Sequence, residues 1–186
     1  MLRNPIDRAF SHYLMDYRLG LVSDSFEDIM NKKSKHKNAH LFYQQYIKVG
    51  EYTTQLKRYF DVFDKESILL IDYEDFKSDV AGTVGLAYSF LKVSTEFSAD
   101  VNKKHNTFTM PKNKLIRFMY SFVVIRNILS FIFPKNMVKA VRLILFRKNK
   151  KPKLLEETSN QLKHYFSNDV RLLESIIGKD YSKWIK

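Results

Sequence analysis

The chain has 186 residues, 45% of them apolar and 15% aromatic, which is ample for one packed core and too short for two ordinary enzyme domains. It has no cysteine, which excludes disulfide scaffolds, zinc ribbons and thiol catalysis and makes the cytosol the expected compartment. Thirty-two Lys and Arg against 20 Asp and Glu give a net charge of +12, a field that gathers nucleic acid, anionic lipid, or phosphorylated and sulfated small molecules.

Five glycines and four prolines mean few tight turns, so the composition favours long helices with a small sheet over a sandwich or barrel. Met1-Leu2-Arg3-Asn4-Pro5 turns polar at once and holds no apolar stretch of the kind a secretory signal needs. Asn4-Pro5 is a helix start, with Asn as cap and Pro at the first helical position. Only three residues precede it, an abrupt opening that carries the expectation of a segment upstream. Phe10, Tyr13, Leu14 and Tyr17 then fall on one helical stripe that Gly20 can end.

Residues 23–40 carry Lys32, Lys33, Lys35 and Lys37 without a sustained apolar period and predict a mobile or weakly helical surface excursion. After Gly50, the residues Tyr52, Leu56, Tyr59, Phe60 and Phe63 mark a second amphipathic helix ending near Asp64-Lys65. Ile68-Leu69-Leu70-Ile71 is a continuous apolar run of the kind found in a parallel strand buried on both faces. The helix after it, with Asp79 as cap and Val80, Val84, Ala87, Tyr88 and Leu91 as its stripe, is expected to pack back on that sheet.

Leu115 to Phe133 is nearly all apolar, but Arg117, Arg126 and Asn127 interrupt it and Pro134 closes it, which predicts a buried helix rather than a membrane span. Met137 to Phe146 continues as a helix, and the basic run from Arg147 to Lys151 predicts a loop. Leu162, Phe166, Val170, Leu173 and Ile177 step along one face of a C-terminal helix that Gly178 terminates and Trp184 covers.

The sharpest constellation is Arg3-Asn4-Pro5-Ile6-Asp7-Arg8-Ala9-Phe10-Ser11, an arginine before a helix start with a hydroxyl on the following turns. Backbone N–H groups, the positive helix end, a two-pronged guanidinium and a serine suit a phosphate. Spacing alone leaves a second reading open, a capped amphipathic helix with surface arginines. Of the histidines, His12 beside Ser11 reads as a helix-surface residue, and His36 and His40 at i, i+4 lack a third metal ligand, so no metal site is assigned.

The run from Arg3 to Ser11 resembles the R-x-P-x-x-R-x-x-S signature of sulfotransferases that use 3′-phosphoadenosine-5′-phosphosulfate (PAPS). The resemblance implies that Arg3 and Ser11 clasp the donor's 3′-phosphate. Ile68 to Ile71 followed by Asp72-Tyr73-Glu74-Asp75-Phe76 is similar to the family's apolar strand ending in Tyr-Glu-Asp, and it implies an adenine contact for Tyr73. Arg147-Lys148-Asn149 occupies a place comparable to the family's late Arg-Lys-Gly loop, which makes Arg147 and Lys148 further candidates for the 3′-phosphate, although the glycine is absent. Gly50-Glu51-Tyr52, Phe90-Leu91-Lys92-Val93 and the ending from Leu173 to Trp184 extend the likeness over nearly the whole chain.

The implied fold is α/β: a P-loop-like sulfotransferase domain over residues 1–186, predominantly helical, with a small parallel sheet. The family's first strand and its lysine- and threonine-bearing phosphosulfate loop are expected upstream of the arginine motif, and none of Gly20, Gly50, Gly82, Gly85 or Gly178 opens such a loop. The implied reaction is sulfuryl transfer from PAPS to a hydroxyl or amine, with a glycan or glycolipid as acceptor. No catalytic base is assigned. The competing reading is a non-enzymatic basic module that binds anionic polymers or membrane surfaces through Arg117, Arg126, Lys139, Arg142 and the 147–151 run, so peripheral membrane contact is an expectation and specific nucleic-acid binding is not.

Overall fold

The computed structural model describes residues 1–97, 100, 108–122, 131–132, 134–147 and 151–186. They form two compact units, each assembled from separate stretches of chain: Met1–Ala9, Ile47–His105 and Glu156–Lys186 in one, Phe10–Tyr46 and Asn106–Leu155 in the other. Helix α1 (Pro5–Leu19) gives its first turns to one unit and the rest to the other. As the sequence predicts, Asn4 caps it, with Oδ1 accepting from the Ile6 amide at 2.9 Å and the Asp7 amide at 3.3 Å.

In the first unit the long helix α9 (Glu156–Ile177) buries the expected stripe of Leu162, Phe166, Val170 and Leu173 against α4 (Tyr52–Phe60). Each such side chain contributes roughly 1.5–3 kcal/mol on leaving water. Gly50 lets the two helices approach: a Cβ there would lie 2.9 Å from the Phe166 ring and 3.2 Å from Pro5. The start of α4 is capped across the sequence, because Asp169 accepts from the Tyr52 amide at 2.8 Å and the Thr53 amide at 3.2 Å. Burial pushes the Asp169 carboxyl up, and those two amide bonds hold it down. Trp184 covers the end of this core, 4.2 Å from Tyr181 between ring centroids.

The apolar run Ile68–Ile71 is not a strand of a parallel sheet. It is extended and half-buried, and its pairing among the described residues is one parallel bridge, Leu2 with Asp72. That rung has two bonds, Leu2 N–H to the Ile71 carbonyl and Tyr73 N–H to the Leu2 carbonyl, both at 2.7 Å. A continuous apolar run needs neighbours on both sides to become a buried strand, and here Leu2 supplies a single rung. Two short helices follow, α5 (Tyr73–Ser78) and α6 (Val80–Phe90). Asp79 caps α6 through the Gly82 amide at 2.8 Å, as expected, but no residue of α6 is buried, and among the described residues no parallel sheet lies beneath its stripe.

The second unit is built around aromatic rings. Phe10 and Tyr13 of α1 each lie 5.4 Å from Phe26, and Phe42 stacks on Tyr46 at 5.8 Å. The expected surface excursion of 23–40 is therefore partly core, since α2 (Phe26–Met30) buries Phe26 and Ile29; α3 (Ala39–Tyr46), which starts at the end of that stretch, buries Phe42 and Tyr46 beyond it. Ser25 caps α2 by accepting from the Asp28 amide at 3.0 Å. Beneath the rings, buried Asp16 accepts a 2.8 Å bond from the Tyr46 hydroxyl.

Strand β1 (Met110–Pro111) pairs antiparallel with β2 (Phe146–Arg147), and between them lie α7 (Lys114–Ser121) and α8 (Lys135–Leu145). The single buried helix expected over 115–133 is not observed. α7 ends at Ser121, and Leu115, Phe118, Met119 and Phe122 are exposed; residues 123–130 and 133 lie outside the described residues. Gly20, at φ +72°, closes α1 as predicted and seats α7, since a Cβ there would meet the Arg117 carbonyl at 2.8 Å.

Three consequences are measurable. Gly50→Ala should cost about 1–3 kcal/mol in urea unfolding through overpacking against Phe166, and an unchanged midpoint would show that the contact yields. Burial, with the Asp16 bond in the second case, raises the Tyr13 phenol to about 12 and the Tyr46 phenol also above its usual value. A raised folded pKa gives stability that is complete below the unfolded value of about 10 and is lost as pH rises through the folded value. The urea midpoint should therefore hold up to about pH 10 and fall between about pH 10 and 12. Tyr46→Phe should cost about 1–3 kcal/mol at neutral pH by leaving Asp16 unpaired from the phenol.

Candidate functional site

Two of the sequence-predicted residues, Arg3 and Tyr73, meet in the first unit: the Arg3 guanidinium carbon lies 4.5 Å from the centre of the Tyr73 ring. Their placement follows from the backbone. Arg3 adjoins the Leu2 rung, and Tyr73 donates its amide to that same rung before opening α5. A second hold comes from Tyr52, whose hydroxyl donates to the Arg3 carbonyl at 2.9 Å. Because the Tyr52 amide is fixed by Asp169, the position of Arg3 traces back through α4 to α9. Arg8 lies in the same unit beside Tyr52, and burial lowers its pKa below the ordinary arginine value.

Arg3, Asn4 and Tyr73 line a recess of about 50 Å³. Its opposite wall is a network that the sequence did not announce. Lys179 pairs with Asp72 and, at 2.9 Å, with Asp75, while the Tyr181 hydroxyl donates to Asp72 at 2.9 Å. The bonds to Asp72 and Asp75 raise the Lys179 ammonium above its usual value; burial, followed by the Asp72 bond, raises the Tyr181 phenol. Lys179 thereby offsets part of the charge of Asp72 and Asp75; Glu74 and Asp180 bring further carboxylates to the recess, and Lys183 joins Arg3 and Lys179 as its cations.

Ser11 belongs to the second unit, where its hydroxyl oxygen accepts a 2.6 Å bond from Lys151. The basic run thus meets the motif serine through its last lysine. Arg147, expected in a phosphate-covering loop, is instead exposed in β2 opposite Met110, because backbone pairing fixes it as a strand residue. Lys148 lies outside the described residues. His12 sits 3.8 Å from Asp16 and edge-on to Tyr46. His36 accepts from the Asn38 amide at 3.0 Å, and His40 pairs with Gln44 at 3.3 Å.

The sulfotransferase domain family matches residues 1–174. The chain belongs to that family. A sulfotransferase of Alicyclobacillus acidocaldarius, known from its crystal structure, is similar at 26% sequence identity with a TM-score of 0.64. That likeness covers 100% of this chain, which spans 56% of the length of the Alicyclobacillus chain. Among curated proteins none matches. Gly20 and Gly178 follow helix ends, Gly50 packs on Phe166, and Gly82 and Gly85 lie within α6. No helix among the described residues is long and apolar enough to cross a membrane.

Replacement of Tyr181 by Phe removes one of the two side-chain partners of Asp72 and should cost about 0.5–1.5 kcal/mol in urea unfolding. An unchanged stability would mean that Lys179 alone satisfies that carboxylate.

Proposed function

We propose that this chain binds PAPS and its product adenosine 3′,5′-bisphosphate, and that it serves sulfuryl transfer to a hydroxyl or amine on a glycan or glycolipid. Arg3 and Ser11, which belong to one contiguous motif, hold the 3′-phosphate, and Tyr73 contacts the adenosine side of the donor. The observation that carries the reading is the meeting of Arg3 and Tyr73. They come from two separate family-like motifs about seventy positions apart and line one recess.

Supporting it is the family match. In the reaction, the acceptor oxygen or nitrogen forms a bond to sulfur as the bond from sulfur to the bridging phosphate oxygen breaks, and the acceptor proton leaves to a base. Negative charge develops on the departing phosphate, so fixed cations contribute most to the rate. Turnover further requires a group that grips the 5′-phosphosulfate, which the glycines of this chain do not build; nucleotide binding is the property expected of these 186 residues.

Adenosine 3′,5′-bisphosphate should raise the melting temperature of the chain, and adenosine 5′-monophosphate should do so far less. Arg3→Ala removes a charged hydrogen-bond donor and should weaken binding by roughly ten- to a hundredfold. The reading fails if the bisphosphate gives no shift, or if Arg3→Ala and Ser11→Ala shift as far as the parent chain.

A further inference from the structure

The positive charge of the chain is concentrated in one stretch. Residues 101–155 contain 14 Lys and Arg and no Asp or Glu, whereas the other 131 residues hold 18 Lys and Arg against 20 acids. All the net positive charge therefore resides in 55 residues of the second unit or at its border. Within this stretch α7 is amphipathic with its faces reversed from those of an ordinary surface helix. Its polar side turns inward: the Arg117 guanidinium lies 4.1 Å from the Tyr17 ring centre, and Ser121 abuts Gly20. Its apolar side turns out, at the i, i+3, i+4, i+7 spacing, with Leu115 66%, Phe118 62%, Met119 51% and Phe122 45% exposed.

The exposed side chains form a continuous feature along α7, with the Phe118 and Phe122 rings edge-to-face at 5.1 Å. Phe131, at 92% exposed, and Leu143 and Ile144 of α8 add apolar surface in the same unit. Lys112 and Lys114, both exposed, flank the start of the α7 stripe. Arg117, by contrast, is turned away from solvent, so it is not among the cations that the outward face offers, contrary to the expectation from sequence.

We propose that α7, with Lys112 and Lys114, is an interfacial anchor that lays its apolar stripe into an anionic phospholipid surface. The occupant follows from charge and chemistry together. A second copy of this chain would bring the same acid-free stretch and repel it. A nucleic acid would satisfy the lysines and leave the stripe in water. An anionic bilayer satisfies both, taking the aromatic and aliphatic side chains at the acyl boundary while the lysine ammoniums reach the headgroups. This anchor is independent of the donor-site reading, since it uses neither Arg3, Ser11 nor Tyr73.

The test is flotation of the full chain with vesicles of phosphatidylcholine and phosphatidylserine in equal parts, beside vesicles of phosphatidylcholine alone. Retention on the mixed vesicles alone is expected, weakened by salt but not abolished, because the apolar insertion is not screened. The double variant Phe118→Ser, Met119→Ser changes exposed positions and should bind the mixed vesicles at least about tenfold more weakly. Its melting temperature should be unchanged. Lys112→Ala with Lys114→Ala should weaken binding about severalfold at low salt. No retention on mixed vesicles, or retention untouched by the Phe118 and Met119 changes, overturns the proposal. So does salt-labile capture by RNA that exceeds vesicle binding. The bisphosphate-induced thermal shift of the same variants should match that of the parent chain, so failure of the anchor and failure of the donor site are read separately.

Discussion

The carboxylate of Asp169 is the constraint on which the first unit turns. It arrives from the middle of α9, and it binds the two leading amides of α4 in place of a local capping side chain. Helix starts expose amides that must find a partner, and here the partner lies more than a hundred residues away in sequence. The same contact fixes Tyr52, whose hydroxyl holds the Arg3 carbonyl. The stability of a helix pair and the placement of a candidate anion-binding arginine are therefore one problem, with Tyr52 as the shared member.

The fold was legible in the sequence where its determinants are local. Asn4 before Pro5, Asp79 before Val80, and the Leu162-to-Leu173 stripe each act within a few residues, and each is found where periodicity and capping place it. The stretch from Val22 to Tyr46 was less legible because its helices are short; Phe26 and Ile29 make a single pair, and the useful signal was Ser25 followed three residues later by Asp28. The Ile68–Ile71 run misled for a different reason. Apolar continuity reports a wish for burial on two sides, but strand pairing is settled by what lies alongside, and among the described residues that is one residue, Leu2. Over 115–133 the apolar continuity was visible and the direction was not, since such a run does not say which side of a helix meets the protein.

The candidate site divides along the same line. Arg3 and Tyr73 were readable from motifs, and the backbone rung at Leu2 brings them together. Lys151 was visible only as the end of a basic run, with nothing to distinguish it from its neighbours until its bond to Ser11 is known. The pairing of Lys179 and Tyr181 with Asp72 joins positions more than a hundred residues apart and leaves no periodic trace. Those distant partners nevertheless set the local field, because they decide how much of the acidic Asp72-to-Asp75 turn an incoming anion encounters.

Gly20 illustrates how a single backbone atom can hold two geometric decisions at once. Its left-handed torsion decides where α1 stops, and its missing side chain decides how near the Arg117 turn may come. An insertion that prolonged α1 by one residue would rotate the docking point by about 100° and advance it by about 1.5 Å, so the α7 seat would no longer face its helix. Length polymorphism at this junction is thus disfavoured far more strongly than substitution along the solvent side of α1, and the spacing from Phe10 to Gly20 acts as a ruler for the second unit.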